Sequence, residues 1–205
     1  MNAIINNSLK RSMSYQEYRD LIKKLTLENA TTGNQQSEDL INYTKLNDRR
    51  MRRWDKSLKV TEEIKAKIQE FKTPITWLVI SESWCGDAAH VIPALNIIAE
   101  LNPNIKIRIV LRDENPQLMD MFLTDGARAI AKVIMIDDET GTVLNTYGPR
   151  PSEATSYVNR FKARNGALTA DFKEDLQHWY NKNKGQNVIE DITEILAHLE
   201  PNVCQ

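Results

Sequence analysis

An α/β fold with a central mixed sheet is what this 205-residue chain predicts, and three observations carry that prediction. Residues 75–80 form a short apolar, β-branched run, and apolar positions then recur with helical spacing at Val91, Ile92, Leu95, Ile98, Ala99 and Leu101. Residues 105–111 alternate apolar and polar before turning continuously apolar, as a strand entering a covered sheet does. Residues 132–137 and 142–147 flank a turn at Asp138, Glu139, Thr140 and Gly141, which predicts an antiparallel hairpin. The order is strand, helix, strand, helix, hairpin, helix, and a right-handed crossover is expected between the first two strands.

The remaining elements follow from local signals. Ser14 is an N-cap with Glu17 at the capping-box position, opening a helix through Tyr18, Leu21, Ile22 and Leu25. Thr31, Thr32, Gly33 and Asn34 separate it from a second helix, which begins near Ser37 and continues to Trp54. Thr61 opens a third, running to Phe71. Past the second strand, Pro116 at a first helical position predicts a helix over 117–123, closed by Thr124, Asp125 and Gly126. Pro151 and Ser152 start a helix that Gly166 stops, and periodic stretches follow at 170–181 and 188–199. The expected organisation is one domain over 1–205, with a helical N-terminal extension (1–72), a core (73–163) and a helical C-terminal extension (164–205). The apolar stripes of the N-terminal helices need cover from the sheet or from a partner.

Composition narrows the function classes. A net charge of −1 gives no global attraction to nucleic acid or to an acidic membrane surface. No segment approaches the roughly 18 apolar residues that span a bilayer, so no membrane partner is expected. Two cysteines, Cys85 and Cys204, do not make a disulfide framework and fit a reducing, cytoplasmic compartment better.

The informative motif is Trp84, Cys85, Gly86, Asp87 and Ala88, on the turn between the first strand and its helix. Unpaired N–H groups at a helix start favour an anion, so a cysteine there can fall well below the free-thiol pKa of about 8.5. Asp87, if ionised, opposes this; Arg128, on a loop expected to face the thiol, restores it. The sign of the sum is open. Cys85 is either an accessible nucleophile or a small apolar residue.

Trp-Cys-Gly after a buried strand resembles the thioredoxin superfamily over residues 74–150, and bacterial members carrying Cys-Gly-Asp-Ala with flanking helices in particular. The resemblance implies a thioredoxin-like three-layer fold with Cys85 as the residue that attacks disulfides. Three departures qualify it. Asp87 and Ala88 stand where proline and the resolving cysteine usually follow, so no dithiol cycle is possible within the motif. Ala131 stands where the family has a cis-proline facing the cysteine; a cis bond before a non-proline residue costs about 3 kcal/mol, so Ile130–Ala131 is expected to be trans. Val79 replaces the family's buried carboxylate six residues before the cysteine.

Sharper readings elsewhere compete with plainer ones. The run Arg49, Arg50, Met51, Arg52, Arg53, Trp54 suggests phosphate contacts, but arginines paired with Asp48 and Asp55 on a solvated helix turn are the better expectation. His90 lacks the companions a metal site needs and is expected to be packed or on the surface; no metal is expected. Glu194 and His198 are expected to be a surface pair rather than a metal site. Arg150, between Pro149 and Pro151, is either aimed at an anion or part of a rigid connection, the second being favoured. Cys204 is the one internal candidate for a resolving thiol, though nothing directs it to Cys85.

Two functions remain. One is a monothiol disulfide oxidoreductase without a cofactor: Cys85 attacks a disulfide-containing protein or a low-molecular-weight disulfide, and an external thiol resolves the adduct. The other is a non-catalytic module that holds a protein partner in a groove formed near Cys85 by Arg128, Ile130 and Ala131.

Overall fold

In the computed structural model, which describes residues 2–200, a four-stranded sheet of order β2-β1-β3-β4 lies between helices. Strand β1 (Ile75–Ser81) is buried along its whole length, which is why its sequence is apolar without alternation. It pairs in parallel with β2 (Ile105–Leu111), from Ile75 opposite Ile105 to Ser81 opposite Leu111. On its other side it runs antiparallel to β3 (Lys132–Asp137), which forms the expected hairpin with β4 (Val143–Tyr147) and carries an irregularity between Met135 and Ile136.

Nine helices complete the described residues. The N-terminal four are α1 (Ala3–Lys10), α2 (Tyr15–Leu27), α3 (Glu38–Ser57) and α4 (Glu62–Glu70). Helix α5 (Ala88–Leu101) joins β1 to β2, and α6 (Pro116–Met121) joins β2 to β3. The chain closes with α7 (Ser152–Asn165), α8 (Ala170–Asn183) and α9 (Gln186–Leu199). Ser14 and Glu17 make the capping box in full, and Ser37 and Thr61 cap α3 and α4. Helix α1 has no counterpart in the sequence reading; Asn2 caps it through the Ile4 amide. Helix α6 ends at Met121, two residues short of the expected end, where Phe122 leaves helical geometry before the Thr124–Ala127 turn.

The flanking helices share the core of the sheet. Ile5, Tyr18, Ile22, Met51, Ile68 and Phe71 from the N-terminal part are buried with β1, β3 and α5, as are Val188, Ile189, Ile192 and Leu196 of α9. Backbone bonds between Met13 and Ile109 (2.8 and 2.7 Å) place the segment before α2 along the outer edge of β2, covering an otherwise open edge. Helices α7 and α8 differ: Ala154, Val158, Phe172, Leu176 and Tyr180 form a small apolar cluster of their own.

Two joints hold these layers in place. Gly148 sits at φ +102°, and a Cβ there would stand 2.2 Å from the Ala131 carbonyl oxygen, so the strand-to-α7 connection passes the start of β3 only without a side chain. His90 on α5 links three helices. The Trp54 indole of α3 donates to its Nδ1 (2.9 Å), so Nε2 carries the proton and donates to Gln177 Oε1 of α8 (2.9 Å), while Tyr180 stacks on the ring at 4.3 Å. Burial, helped by the nearby Arg50 and Arg53 charges, pushes the imidazole down to about 3.

Gly148→Ala is expected to destabilise the chain by about 3 kcal/mol or more, read as a lowered urea midpoint; a midpoint within error of wild type would mean the crossing relaxes freely. His90 binds a proton readily only when unfolded, so its contribution is present above about pH 6.5 and is lost as pH falls toward 3. Between pH 7 and pH 4, urea unfolding of the wild type and of His90→Gln is therefore expected to converge by about 3 kcal/mol. A gap independent of pH would show that His90 does not titrate this way.

Candidate functional site

The turn that carries Cys85 is held from the N-terminal side by a cluster of hydroxyls. Ser83 Oγ lies within 3.1 Å of the hydroxyls of Thr31, Thr32 and Thr44. Ser83 and Thr32 also exchange amide-to-hydroxyl bonds (2.8 and 3.0 Å), and Asn47 donates to the Ser83 carbonyl (2.9 Å). Thr31 and Thr32, which in sequence only separate two helices, are thus a clasp on the motif. All of these groups are buried and paired with one another, so the segment after β1 is anchored where an exposed loop would move.

Cys85 follows directly. Its thiol donates to the Ile130 carbonyl at 3.2 Å, and the Ala88 amide donates back to the sulfur at 3.5 Å. The sulfur thereby takes the place of an N-cap acceptor for α5, with the Ala89 amide bonded to the Cys85 carbonyl (3.2 Å). The residue is only 7% exposed. Burial, and after it the Asp87 carboxylate, pushes the thiol up to about 12, against the smaller opposing pull of the Ala88 and Asp87 amides and of Arg150. The sign left open by the sequence is therefore upward: the helix-terminus effect is present but loses to desolvation.

Asp87 is held between two partners contributed by the C-terminal part. Arg150 pairs with its Oδ2 at 2.7 Å, and the Tyr180 hydroxyl donates to its Oδ1 at 2.9 Å. Burial raises the Asp87 carboxyl, and Arg150 chiefly opposes the rise. Of the two readings of Arg150, aim at an anion is therefore the observed one, although the anion is internal. His90 is packed among Trp54, Gln177 and Tyr180 as described.

The other expected residues are distributed as follows. Trp84 is half-buried with the Arg112 guanidinium 4.8 Å from its ring centroid. Gly86 faces Arg50, whose Nη1 is 3.6 Å from where a Cβ would stand. Ala88 is buried and contributes its amide to the sulfur. Ile130 and Ala131 are brought to the thiol, but the peptide between them is cis, contrary to expectation. The preference of a free chain is overruled by tertiary surroundings: Ile130 O accepts from Cys85 on one side, and Ala131 is fully enclosed and packed against Gly148 on the other. Arg128 does not face the thiol. Its exposed guanidinium makes a two-pronged pair with Asp120 (2.6 and 2.7 Å), and Arg150 is the cation that acts on Cys85.

A buried carboxylate also escaped the sequence reading. Val79 is buried without a carboxylate, yet Glu82, three residues before Cys85, is fully buried; its Oε1 accepts from the Asp113 amide (2.9 Å) and its Oε2 has no partner among the described residues. Burial raises its carboxyl. The signal available was a glutamate at the end of an apolar strand, a position where water would normally be expected. Cys204 lies outside the described residues.

Cys85 opens onto a groove of about 820 Å³ whose walls include Tyr43 of α3, Trp84, and Leu176 and Gln177 of α8. No helix among the described residues is long and apolar enough to cross a membrane.

Comparison with curated proteins gives no match. Among solved structures, a Pseudomonas aeruginosa protein of unknown function superposes with a TM-score of 0.58 at 17% identity, over 92% of this chain and 99% of the other. A crystal structure of an HIV epitope scaffold gives a TM-score of 0.56 at 17% identity, over 91% of this chain and 99% of its own. These likenesses speak to the fold. A family model described as thioredoxin matches residues 33–164, well over half of the chain and including β1, the Cys85 turn and β4. With that match and the mixed sheet carrying Trp84, Cys85 and Gly86 at the end of β1, the chain belongs to the thioredoxin family.

Proposed function

We propose that this chain is a thioredoxin-fold binding module for a protein partner, in which Cys85 rests as a protonated thiol on the wall of the groove. The observation that supports it is the burial of the sulfur beside Asp87, which pushes the thiol up to about 12. Relative to a free thiol near 8.5, the thiolate fraction at neutral pH falls by roughly three to four orders of magnitude. The greater nucleophilicity of a more basic thiolate recovers between about one and two orders. A net loss remains, which does not suit a disulfide-attacking nucleophile. A reducing, cytoplasmic setting fits a buried cysteine kept as a free thiol.

A second reading is favoured by the place of Cys85 on the groove wall with the Ala88 amide at its sulfur. It is the monothiol oxidoreductase. The Cys85 thiolate would displace one thiolate from a disulfide and keep the other half as a mixed disulfide. An external thiolate would then attack that adduct, releasing Cys85 and carrying away the bound half in a new disulfide.

The two are separated by incubating the full chain with oxidised glutathione at pH 7 and following its mass. No adduct at Cys85 faster than on free cysteine is the expected result; rapid adduct formation would establish the redox reading instead. Alkylation with iodoacetamide across a pH series is expected to give an apparent Cys85 pKa above the free-thiol value. In Asp87→Asn, with the repelling carboxylate removed and Arg150 left beside the sulfur, that value is expected to fall by about one pH unit or more. An unchanged value would mean that burial alone sets the thiol.

A further inference from the structure

The arginine run on α3 is divided between two tasks. Arg52 pairs with Asp48 at 2.9 Å, and Asp48 and Asp55 together hold Arg19 (3.2 and 3.1 Å). Arg53 lies over the Trp54 ring at 4.4 Å and donates to Asn181 (2.6 Å). Arg50 has no such occupation. Its Nη1 donates to Asn47 Oδ1 (2.9 Å), and among the described residues no carboxylate lies within ion-pair distance of it. It is half-buried, and burial together with repulsion by Arg53 lowers its affinity for its proton against the smaller opposing pull of Tyr43 and of the Asp87 carboxylate, which Arg150 already holds. Its guanidinium stands over Gly86, on the wall of the groove.

The rest of the groove has the same charge bias. Arg150 is already neutralised by Asp87. Lys173, across on α8, has no ion-pair partner among the described residues, and Glu174 leans toward His178 at 3.8 Å. Apolar surface is supplied by Leu40, Tyr43, Trp84 and Leu176, with Tyr43 49% exposed at the rim. An arginine taken partly out of water with no carboxylate bonded to it is incompletely compensated in the free protein and gains most from an incoming carboxylate, which it can grip through two parallel N–H bonds. The groove is an open trough between two helices, which suits a chain segment that enters and leaves.

We propose that the groove beside Cys85 takes an extended segment of a protein partner that combines apolar side chains with a carboxylate, the carboxylate seated on Arg50 and the apolar side chains on Tyr43, Trp84 and Leu176. This rests on the binding-module reading for the class of partner, and adds the chemistry by which the partner is recognised. Arg50 is then the residue that selects acidic over neutral segments, and Lys173 contributes by proximity alone.

The test is an NMR titration of the full ¹⁵N-labelled chain with two blocked pentapeptides, Leu-Tyr-Glu-Leu-Ala and its counterpart with glutamine in place of glutamate, and with reduced glutathione as a third ligand. Expected are shifts at the Gly86 amide and the Trp84 indole, and about tenfold tighter binding of the acidic peptide. Arg50→Gln is expected to abolish that preference while leaving the affinity for the glutamine peptide unchanged, and Arg50→Lys to restore part of it. An unaltered amide spectrum away from the groove confirms that the variants fold. Equal affinity for the two peptides, or a preference that survives Arg50→Gln, would overturn the carboxylate assignment while leaving the module reading standing. Peptides that leave the groove unperturbed would remove both. Binding of glutathione alone, dependent on Arg50, would replace the protein segment with a small acidic thiol.

Discussion

A carboxylate placed two residues after a cysteine, at a helix start that is covered rather than open to water, must be paired or protonated, and the C-terminal part of this chain is arranged around that requirement. Arg150 reaches Asp87 from a stretch stiffened by Pro149 and Pro151, and Tyr180 reaches it from α8. The same helix presents Gln177 to His90, one turn into α5. The polar contacts tie α8, which otherwise packs in a small cluster with α7, to the motif. Through Arg150 and Tyr180, Asp87 thus ties the start of α7 and the body of α8 to the Cys85 turn by polar contacts, whereas α9 is held by the main core.

The N-terminal part makes the complementary attachment with neutral groups. Ser83 is enclosed by Thr31, Thr32, Thr44 and Asn47, and Ser81 is bonded to Tyr18 (2.9 Å). Between these two attachments the sulfur of Cys85 loses its water. A helix terminus supplies about 0.3–1 kcal/mol to an anion, while full burial can move a pKa by 3–5 pH units in the other direction. That difference in size decides the chemistry. The thioredoxin scaffold is present, and in it the thiol is covered, bonded to the residue 130 carbonyl and held toward its protonated form. What stays open to solvent is the groove wall, where Arg50 and Lys173 have no ion-pair partner within bonding distance among the described residues.

Much of this was legible in the residues. The strands, the hairpin, the crossover helix and the capping box at Ser14 follow from periodicities and caps that act over a few residues, and they stand as read. The position of Cys85 between β1 and α5 follows in the same way. Arg128 illustrates where such reasoning fails. It shares a loop with Ile130 and Ala131, but a two-pronged pair with Asp120 eight residues back is available to it, and sequence offers no means to rank that against a distant thiol. Arg150 has the better geometry for the thiol site only because the chain returns past Ala131 at Gly148. Glu82 and Thr31 were passed over for a related cause: their burial comes from elements remote in the chain.

The amino-acid sequence by itself determined the order of elements, the sheet's mixed character and the placing of one thiol at a strand-to-helix turn, because hydrophobic period, turn residues and caps are local. Only the tertiary structure decided the state of that thiol, the isomer of the Ile130–Ala131 peptide and which arginine neutralises Asp87. Each of these depends on how much water and which charges remain after segments more than 40 residues apart have packed together, and desolvation and Coulomb interaction act through space rather than along the chain.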